Sequence, residues 1–554
     1  MKQLGRKIQS KPSNRKQYAS NYSNEVFDVL IVGGGITGAN ILWDSTLRGM
    51  KSILLEKDDY ASKTSQATSK LIHGGIRYLK NLEIGLVKES LYEKKLLAKI
   101  SPHSMRILPM MIPLYSFMEK TIMRLGLSFA DFISKNRNEG ITEDLIIPNR
   151  FLLTREQTIA EDPKLKRENL VGSIVYYDYA NYNPERHTTE FIFSARKKGG
   201  VALNYTKVTK IAKESSGNFL IYVTDSISGK ESILRSKTVV NASGPYADFI
   251  ESIAGVHSEK VLVRSKGIHA VIRKITSDKS VVLKKKDGTH LFVLPWRNRN
   301  IIGTTDTVYK DDPDSMRVTK KEILELLDEV NYSYGNGNLG EKDVLNFYGG
   351  LRPLVEESSN VSDNTYSASR KTEIVDYKDF GMNGFFAALG GKYTTSRGVA
   401  EELVNKLAEF LPGKYKPCQT KEIALSGGNF SDQKTLIKDV AKKFPKLDSV
   451  KLETLINRYG SDTFSLPLDT NLHEFYKLEN GEVFYPEEID FICKNEDIVF
   501  AEDILFRRSG IANIGKSDPT VIKKILTRIG KNLHWSPRRV FMEEKSIYKR
   551  FDLV

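Results

Sequence analysis

The stretch Asp28-Val-Leu-Ile-Val-Gly-Gly-Gly-Ile-Thr-Gly-Ala-Asn40 decides the fold of this chain. Its apolar start predicts a buried parallel strand, and the three glycines that follow stand in G-x-G-x-x-G register before a helical stretch. Gly33 permits a tight turn, Gly35 lets a pyrophosphate approach the backbone, and Gly38 lets the helix pack on the strand. The helix N-terminus would then bind the pyrophosphate, because its free N–H groups and dipole favour negative charge.

A second apolar run, Ser52 to Leu55, ends in Glu56, about twenty residues beyond the glycines. The Glu56 carboxylate would accept a ribose hydroxyl and repel a 2′-phosphate. Strand, glycine loop, helix, second strand and acid together predict a dinucleotide site. On these residues alone, NAD and FAD fit equally well.

Length and charge set the class of protein. The chain has 554 residues, enough for about three or four domains. Its two cysteines, Cys418 and Cys493, form no disulfide framework and indicate a reducing compartment. No run of eighteen uncharged apolar residues predicts a membrane span. No metal site is expected.

The net charge of +15 is uneven along the chain. Met1 to Asn24 contains six Lys or Arg and no acidic residue, which predicts a flexible basic extension, with a transit peptide as the alternative. Nucleic-acid binding is not expected, because no zinc-finger spacing or aromatic-basic interleaving is present. An anionic cofactor, an anionic substrate and an anionic membrane surface are the expected partners.

One segment, Met110 to Ile133, suggests a membrane surface. An apolar stripe at helical spacing lies within it, formed by Met118, Ile122, Leu125, Phe129 and Phe132. An interfacial helix with this face in the lipid boundary fits the pattern. An ordinary core helix fits it equally well.

The strand-turn-helix pattern recurs twice. Thr238 to Asp248 predicts a strand that ends in a small-residue turn at Gly244. Phe385 to Arg397 predicts another strand, which ends at Gly390 and Gly391, with Thr394 or Thr395 capping a following helix. Three glycine-marked strand ends so far apart indicate one nucleotide domain interrupted by other strands. That pattern favours a flavin over a diffusible nicotinamide.

From about Phe27 onward the chain resembles the FAD-dependent glycerol-3-phosphate dehydrogenases, within the wider group that includes glycine and sarcosine oxidases. The matching segments are Ser69–Leu79 (Ser-Lys-Leu-Ile-His-Gly-Gly-Ile-Arg-Tyr-Leu), Lys266–His269, Leu294–Trp296, Ile302–Asp306, Gly350–Leu354, Gly390–Thr395 and Asp503–Arg508. The resemblance implies an α/β fold with three parts. These are a Rossmann-type FAD-binding domain of the glutathione-reductase/sarcosine-oxidase kind, an interleaved antiparallel-sheet substrate domain and a helical C-terminal domain.

We expect the basic extension to cover residues 1–26 and the interleaved FAD and substrate domains to cover residues 27–415. The substrate insertions are expected at about 80–150 and 255–345, and the helical C-terminal domain at 416–554. The resemblance leaves a homodimer open. It places the protein in the cytoplasm or on the cytoplasmic face of the cell membrane, in preference to the mitochondrion.

The resemblance also assigns residues to the substrate. A dianionic phosphate favours planar Arg side chains and a Lys point charge. Arg352 and Arg370 would bind phosphate, with Lys371 competing for the second place, while Arg77, Tyr78, His269 and Lys392 would line the three-carbon backbone. His269 is the first choice for the base that removes the hydroxyl proton, and His73 is the reserve. Arg77 and Lys392 would assist as cations.

The flavin contacts implied by the motifs form a longer set. They are Gly33, Gly35, Gly38, Glu56, Thr64, Ser65, Thr68, Lys70, Val208, Gly244, Gly391, Lys392 and Thr394.

The implied reaction is oxidation of sn-glycerol 3-phosphate to dihydroxyacetone phosphate, with FAD as carrier and a membrane quinone as acceptor. One alternative is an oxygen-using oxidase of the same substrate. A second is an amine or hydroxyacid oxidase like sarcosine oxidase, and a third is a flavin-binding scaffold without turnover.

Overall fold

The structure is a computed structural model that describes residues 17–75, 83–335, 337–357, 372–468 and 475–553. Its strands, in chain order, are β1 (Val26–Val32), β2 (Ser52–Leu55), β3 (Leu71–Ile72), β4 (Met105–Leu114), β5 (Phe151–Leu153), β6 (Gly172–Asn181), β7 (Val201–Leu203), β8 (Thr206–Lys213), β9 (Phe219–Asp225), β10 (Glu231–Asn241), β11 (Lys260–Arg273), β12 (Ser280–Lys284), β13 (His290–Trp296), β14 (Arg299–Gly303), β15 (Thr307–Tyr309), β16 (Val344–Glu357), β17 (Glu373–Asp376), β18 (Phe385–Leu389), β19 (Tyr476–Lys477) and β20 (Val483–Phe484). Its α-helices are α1 (Ile36–Leu47), α2 (Ile84–Ile100), α3 (Phe117–Ile133), α4 (Arg155–Glu161), α5 (Pro184–Lys197), α6 (Ala247–Ala254), α7 (Lys320–Ser333), α8 (Ser396–Phe410), α9 (Gln433–Lys443), α10 (Ser449–Tyr459), α11 (Pro486–Asn495), α12 (Pro519–Asn532) and α13 (Pro537–Lys549).

The first sheet carries the glycine loop. Its strand order is β17-β18-β10-β1-β2-β7, and the five strands from β18 to β7 are parallel. Val29 and Ile31 of β1 are fully buried, as expected for a parallel strand covered on both faces. Helices α1, α5 and α8 cover one face, and the other face packs on the β8-β9 hairpin and α6. The predicted Rossmann-type domain is confirmed.

The second sheet has ten strands in the order β15-β11-β14-β13-β12-β4-β6-β3, with β16 paired to β11 and β5 to β6. Its pairings are antiparallel except that β12 runs parallel to β4. No hairpin joins β4 to β12, so the connection between them does not require the two strands to run antiparallel. Strands β6 and β16 extend the sheet beyond the two predicted insertion ranges, and the predicted domain boundaries stay predictions.

The C-terminal part of the chain, residues 416–468 and 475–553, is mainly helical and packs on the second sheet. Trp296 and Val271 of that sheet share a buried apolar cluster with Phe506 and Ile525 of the C-terminal part. Between α11 and α12 the chain forms a π-helical turn, Asp503–Arg508, whose side chains are all buried. The hydroxyl of Tyr205, which lies between β7 and β8 of the first sheet, donates to Asp503 of this turn at 2.7 Å.

The apolar face of α3 is exposed. Met118, Ile122, Leu125 and Phe132 retain 72, 59, 67 and 74 % of their accessible surface, whereas Leu127 on the opposite face is buried. The core-helix alternative is therefore wrong for this face. Among the described residues, no helix has the length and apolar character needed to cross a membrane.

Candidate active site

One cavity of about 690 Å³ lies where the two sheets meet. It is lined at one end by the glycine loop and Glu56, and it extends to His269, Arg352 and Lys392. Its volume falls within the usual range for small-molecule sites, about 300–1,000 Å³. The cavity joins the predicted nucleotide end to the predicted substrate end.

The glycine loop is shaped by close backbone approach. Gly33 has a φ of +117°, and a Cβ there would lie 2.5 Å from the carbonyl oxygen of Ala242. A Cβ at Gly38 would collide with the carbonyl oxygen of Gly33, so the start of α1 can pack against the end of β1 only without a side chain. Gly35 is the N-cap of α1 and lines the cavity.

Glu56 closes the nucleotide end. Its carboxylate accepts hydrogen bonds from the Gly34 N–H (2.7 Å) and the Asp58 N–H (2.9 Å). Burial, followed by the nearby Asp58 charge, raises the pKa of Glu56 to about 7. A carboxylate held in this way is well placed to accept a hydroxyl hydrogen bond.

The segment after β2, residues 56–70, forms most of one cavity wall, and we call it the cofactor loop. Thr64, Ser65 and Thr68 line the cavity from this loop. Ser65 Oγ accepts from the Ile36 N–H at the start of α1 (2.9 Å), and Thr64 Oγ1 donates to the Leu351 carbonyl (2.7 Å). The loop thereby connects α1 to the second sheet.

Lys70 does not join this wall. Its buried ammonium group pairs with Glu185 at 2.5 Å and donates to the Gln66 carbonyl, and Lys70 does not line the cavity. Burial lowers the pKa of Lys70. The structure therefore brings Lys70 to an ion pair behind the loop and not to the predicted flavin contact, because Glu185 offers a buried partner.

The remaining predicted contacts converge on the cavity from other strands and from the turns that follow them. Val208, Gly244, Gly391, Lys392 and Thr394 all line it. Gly244 and Gly391 adopt positive φ angles of 58° and 100°. The N-cap of α8 is Thr395, and no hydrogen bond from its side chain caps the helix.

His269 lies on β11, where its ring stacks on Tyr348 of β16 with centroids 4.9 Å apart. Its Nε2 is 2.8 Å from Ser69 Oγ, and its buried Nδ1 has no hydrogen-bond partner among the described residues. Burial, then the charges of Arg352 and Lys70, lowers the pKa of His269 well below its usual value. The imidazole is therefore neutral at pH 7.

Arg352 lies on β16 opposite Ser265 of β11. Its guanidinium donates to Thr304 Oγ1 (2.7 Å), the Thr305 carbonyl (3.1 Å) and Ser265 Oγ (3.2 Å). A Cβ on Gly267 would collide with that guanidinium, so glycine at this position makes room for it. The side chain is thus held in one orientation at the cavity wall.

Lys392 and His73 complete the described part of this end. Lys392 Nζ is 3.4 Å from Ser90 Oγ of α2, and His73 Nδ1 accepts from the Gly75 N–H at 3.0 Å. Both residues line the cavity. Arg77, Tyr78, Arg370 and Lys371 lie outside the described residues.

The comparisons with known proteins agree over nearly the whole chain. The family model described as "FAD dependent oxidoreductase" matches residues 28–405, and the one described as "C-terminal domain of alpha-glycerophosphate oxidase" matches residues 418–540. A probable mitochondrial glycerol-3-phosphate dehydrogenase from Dictyostelium discoideum is 33% identical over 94% of this chain and 83% of its own length. The aerobic glycerol-3-phosphate dehydrogenase of Staphylococcus aureus (strain bovine RF122 / ET3-1) is 30% identical over 95% and 94%.

The chain belongs to the FAD-dependent glycerol-3-phosphate dehydrogenase family. The fold agrees with this assignment. A glycerol-3-phosphate dehydrogenase from Bacillus halodurans, solved in complex with FAD, superposes with a TM-score of 0.74 at 24% identity, over 97% of this chain and 96% of that one. An L-alpha-glycerophosphate oxidase from Mycoplasma pneumoniae superposes with a TM-score of 0.54 at 19% identity, over 72% and 99%.

FAD is the cofactor of this family, and the cavity fits it. Gly33 and Gly35 line the cavity at the N-terminus of α1, a position that suits a pyrophosphate, and Glu56 is placed for a ribose. The strand-end turns at Gly244 and Gly391 allow a flat ring to approach the backbone. His269, with its orphaned buried Nδ1, lies in the wall of the same cavity.

The sequence prediction missed the residues that support these side chains. Ser69 contacts His269, Tyr348 stacks on it, and Thr304 and Thr305 hold Arg352. Ser69, Thr304 and Thr305 stand inside the quoted segments, which was the available signal. Tyr348 stands outside them, and only strand pairing reveals it.

Proposed function

We propose that this family member oxidises sn-glycerol 3-phosphate to dihydroxyacetone phosphate. The observation that carries this proposal is the convergence of Arg352, Lys392 and a neutral His269 on the FAD cavity. A fixed guanidinium and an ammonium group suit a dianionic phosphate, and the neutral imidazole suits a hydroxyl proton. The names of the similar proteins from Dictyostelium discoideum and Staphylococcus aureus support the same substrate.

The chain's own residues would bind and deprotonate the substrate, while FAD, when bound, accepts the hydride. In our proposal Arg352 binds the phosphate and Lys392 stabilises negative charge developing on the oxygen that loses its proton. His269 accepts the proton on its neutral imidazole, whose ring is held by the contact between Nε2 and Ser69. A bound dianion would also raise the pKa of His269 and so strengthen it as a base.

His73 is less suited to be the base. Its Nδ1 lone pair already accepts the Gly75 N–H, so in the neutral ring Nε2 carries the proton and acts as a donor. We propose that His73 donates a hydrogen bond in the cavity and that His269 is the base.

A screen of substrates tests the proposal. Turnover with glycerol 3-phosphate and artificial acceptor dye should exceed turnover with glycerol, sarcosine and glycine by orders of magnitude. Comparable rates with glycerol would refute phosphate binding by Arg352 and Lys392. Preference for sarcosine would favour the amine-oxidase alternative.

We propose further that electrons leave to a membrane quinone and that α3 brings the protein to the membrane. The support is the exposed apolar face of α3, with the cations Lys120 and Arg124 on the same helix. Such a helix lies in the interface and buries its apolar side in lipid. The location on the cytoplasmic face and the homodimer stay predictions.

One observation favours oxygen as acceptor instead. The family model that matches residues 418–540 is described as the C-terminal domain of an alpha-glycerophosphate oxidase. The rate of flavin reoxidation distinguishes quinone from oxygen as the acceptor. It is measured after the substrate-reduced protein is mixed with a soluble quinone or with oxygenated buffer. Faster reoxidation by quinone supports the dehydrogenase, whereas fast reoxidation by oxygen with stoichiometric peroxide supports the oxidase.

A further inference from the structure

The cofactor loop is fixed from behind by a residue that does not touch the cavity. Most of residues 56–70 line the cavity, but Asp59 does not. Asp59 is 1 % exposed, and its side chain lies among charged groups of the C-terminal part of the chain. The loop therefore has one face toward FAD and another toward the C-terminal part.

Asp59 is held by two arginines of the turn Asp503–Arg508. Arg508 donates through both terminal nitrogens to the two carboxylate oxygens at 2.7 Å, and Arg507 Nε donates to Oδ2 at 2.5 Å. Asn204 adds a fourth hydrogen bond at 3.0 Å. Although burial opposes it, the charges of Arg508 and Arg507 hold the pKa of Asp59 below its usual value, so the carboxylate is ionised.

The two arginines are themselves fixed. Arg507 donates to Asp503 at 2.5 Å, and Asp503 accepts the Tyr205 hydroxyl at 2.7 Å. Arg508 also donates to the Glu496 carbonyl at 3.2 Å. A movement of the loop away from the turn would therefore break the hydrogen bonds between Asp59 and the two guanidinium groups.

The other end of the cofactor loop has a second buried tie. Lys70 pairs with Glu185, and Asn513 of the C-terminal part donates to the same Glu185 oxygen at 3.2 Å. Both ends of the loop thus depend on charged contacts that involve the C-terminal part. Breaking such a buried pair leaves an uncompensated charge, so loop conformations that release Asp59 are strongly disfavoured.

We propose that Arg507 and Arg508 are positioning residues for FAD, acting through Asp59 to hold the cofactor loop in its FAD-binding shape. The C-terminal part is then required for tight FAD binding even though its arginines do not line the cavity. This inference needs FAD as the cofactor but not the identity of the substrate.

The test is FAD release from the holoenzyme after dilution. The rise in flavin fluorescence measures this release. In the nearly isosteric variant Asp59→Asn the Kd for FAD should rise about tenfold, within the usual range of coupling between sites. Arg508→Gln should raise the Kd for FAD by a similar factor. The Kd of Arg508→Lys should lie between that of Arg508→Gln and that of the unmodified protein. The KM for glycerol 3-phosphate, measured at saturating FAD, should stay unchanged.

Arg458→Gln is the matched control. Arg458 is equally buried in the C-terminal part, and its ion-pair and hydrogen-bond partners among the described residues, Glu482, Glu488 and the Val483 carbonyl, lie outside the cofactor loop. It should lower the melting temperature without changing the Kd for FAD. Folded Asp59→Asn and Arg508→Gln proteins with unchanged FAD affinity would overturn the proposal.

A measurement on the unmodified protein covers the case in which these variants do not fold. Because coupling is reciprocal, removing FAD should weaken hydrogen-exchange protection of the amides in 503–508 more than in α10. Equal protection of 503–508 with and without FAD would overturn the proposal.

Discussion

Ser69 Oγ lies 2.8 Å from Nε2 of His269, although the two residues are 200 positions apart in the chain. Ser69 belongs to the cofactor loop and His269 to β11 of the second sheet. The contact therefore joins the cofactor wall to the candidate base. It also fixes the orientation of the imidazole ring in the cavity wall.

Replacement of His269 should slow the chemical step. We expect His269→Asn to reduce the rate of flavin reduction by glycerol 3-phosphate about a hundredfold or more, the usual contribution of a general base. Ser69→Ala should have a smaller effect in the same direction, because it loosens only the orientation of the ring. Stopped-flow absorbance measures both rates. Unchanged reduction in His269→Asn, with normal FAD content, would remove His269 as the base.

Replacement of Arg352 should weaken substrate binding. Truncating one partner of a buried charged pair costs about 2–5 kcal/mol, so Arg352→Ala should raise KM by about thirtyfold or more. Arg352→Lys should recover only part of this loss, since it lacks the planar fork. Arg273→Ala on the same strand pair is the control, because Arg273 is exposed and pairs with Asp343. A normal KM in Arg352→Ala would exclude a phosphate contact.

Charges on the exposed face of α3 should release the protein from lipid. The double change Ile122→Asp with Leu125→Asp should abolish cosedimentation with vesicles that contain anionic lipid, because a carboxylate opposes burial in the acyl region. Leu324→Asp with Tyr332→Asp introduces the same charge on the exposed residues of α7 and should not. Full retention of the α3 variant on vesicles would contradict membrane docking by this helix.

The buried histidines should make the fold sensitive to acid. Burial lowers the pKa of His187 to about 4, whereas an unfolded histidine titrates near its ordinary value of about 6.5. Between these values only the unfolded chain binds the proton, so stability falls as the pH drops from about 6.5 toward 4.

The variant His187→Gln checks this effect. Its melting temperature should be lower at neutral pH, because hydrogen bonds with Ser101 and Asn181 are lost. Its decline between about pH 7.5 and about pH 5 should nevertheless be shallower than that of the unmodified protein. An equal decline would mean that His187 does not carry the effect.

The nucleotide end could be predicted from the sequence because its determinants are local. The turn at Gly33 and the acid Glu56 follow adjacent strands, and their spacing alone indicates the site. The partners of Lys70 and Asp59 could not be predicted, because Glu185 and Arg508 lie 115 and 449 positions away.

The environment of α3 could not be predicted for a different physical reason. Helical periodicity gives the apolar stripe but not what covers it, so Ile122 and Leu125 fit a core helix and a surface helix equally. Only the packing of α3, with Leu127 inward, separates the two.

The most direct test of the central claim is anaerobic mixing of the FAD-loaded protein with glycerol 3-phosphate. We expect the yellow flavin absorbance to bleach, with one equivalent of dihydroxyacetone phosphate formed per flavin and no bleaching by glycerol. An FAD-loaded, folded protein whose flavin stays oxidised in excess glycerol 3-phosphate would contradict the account.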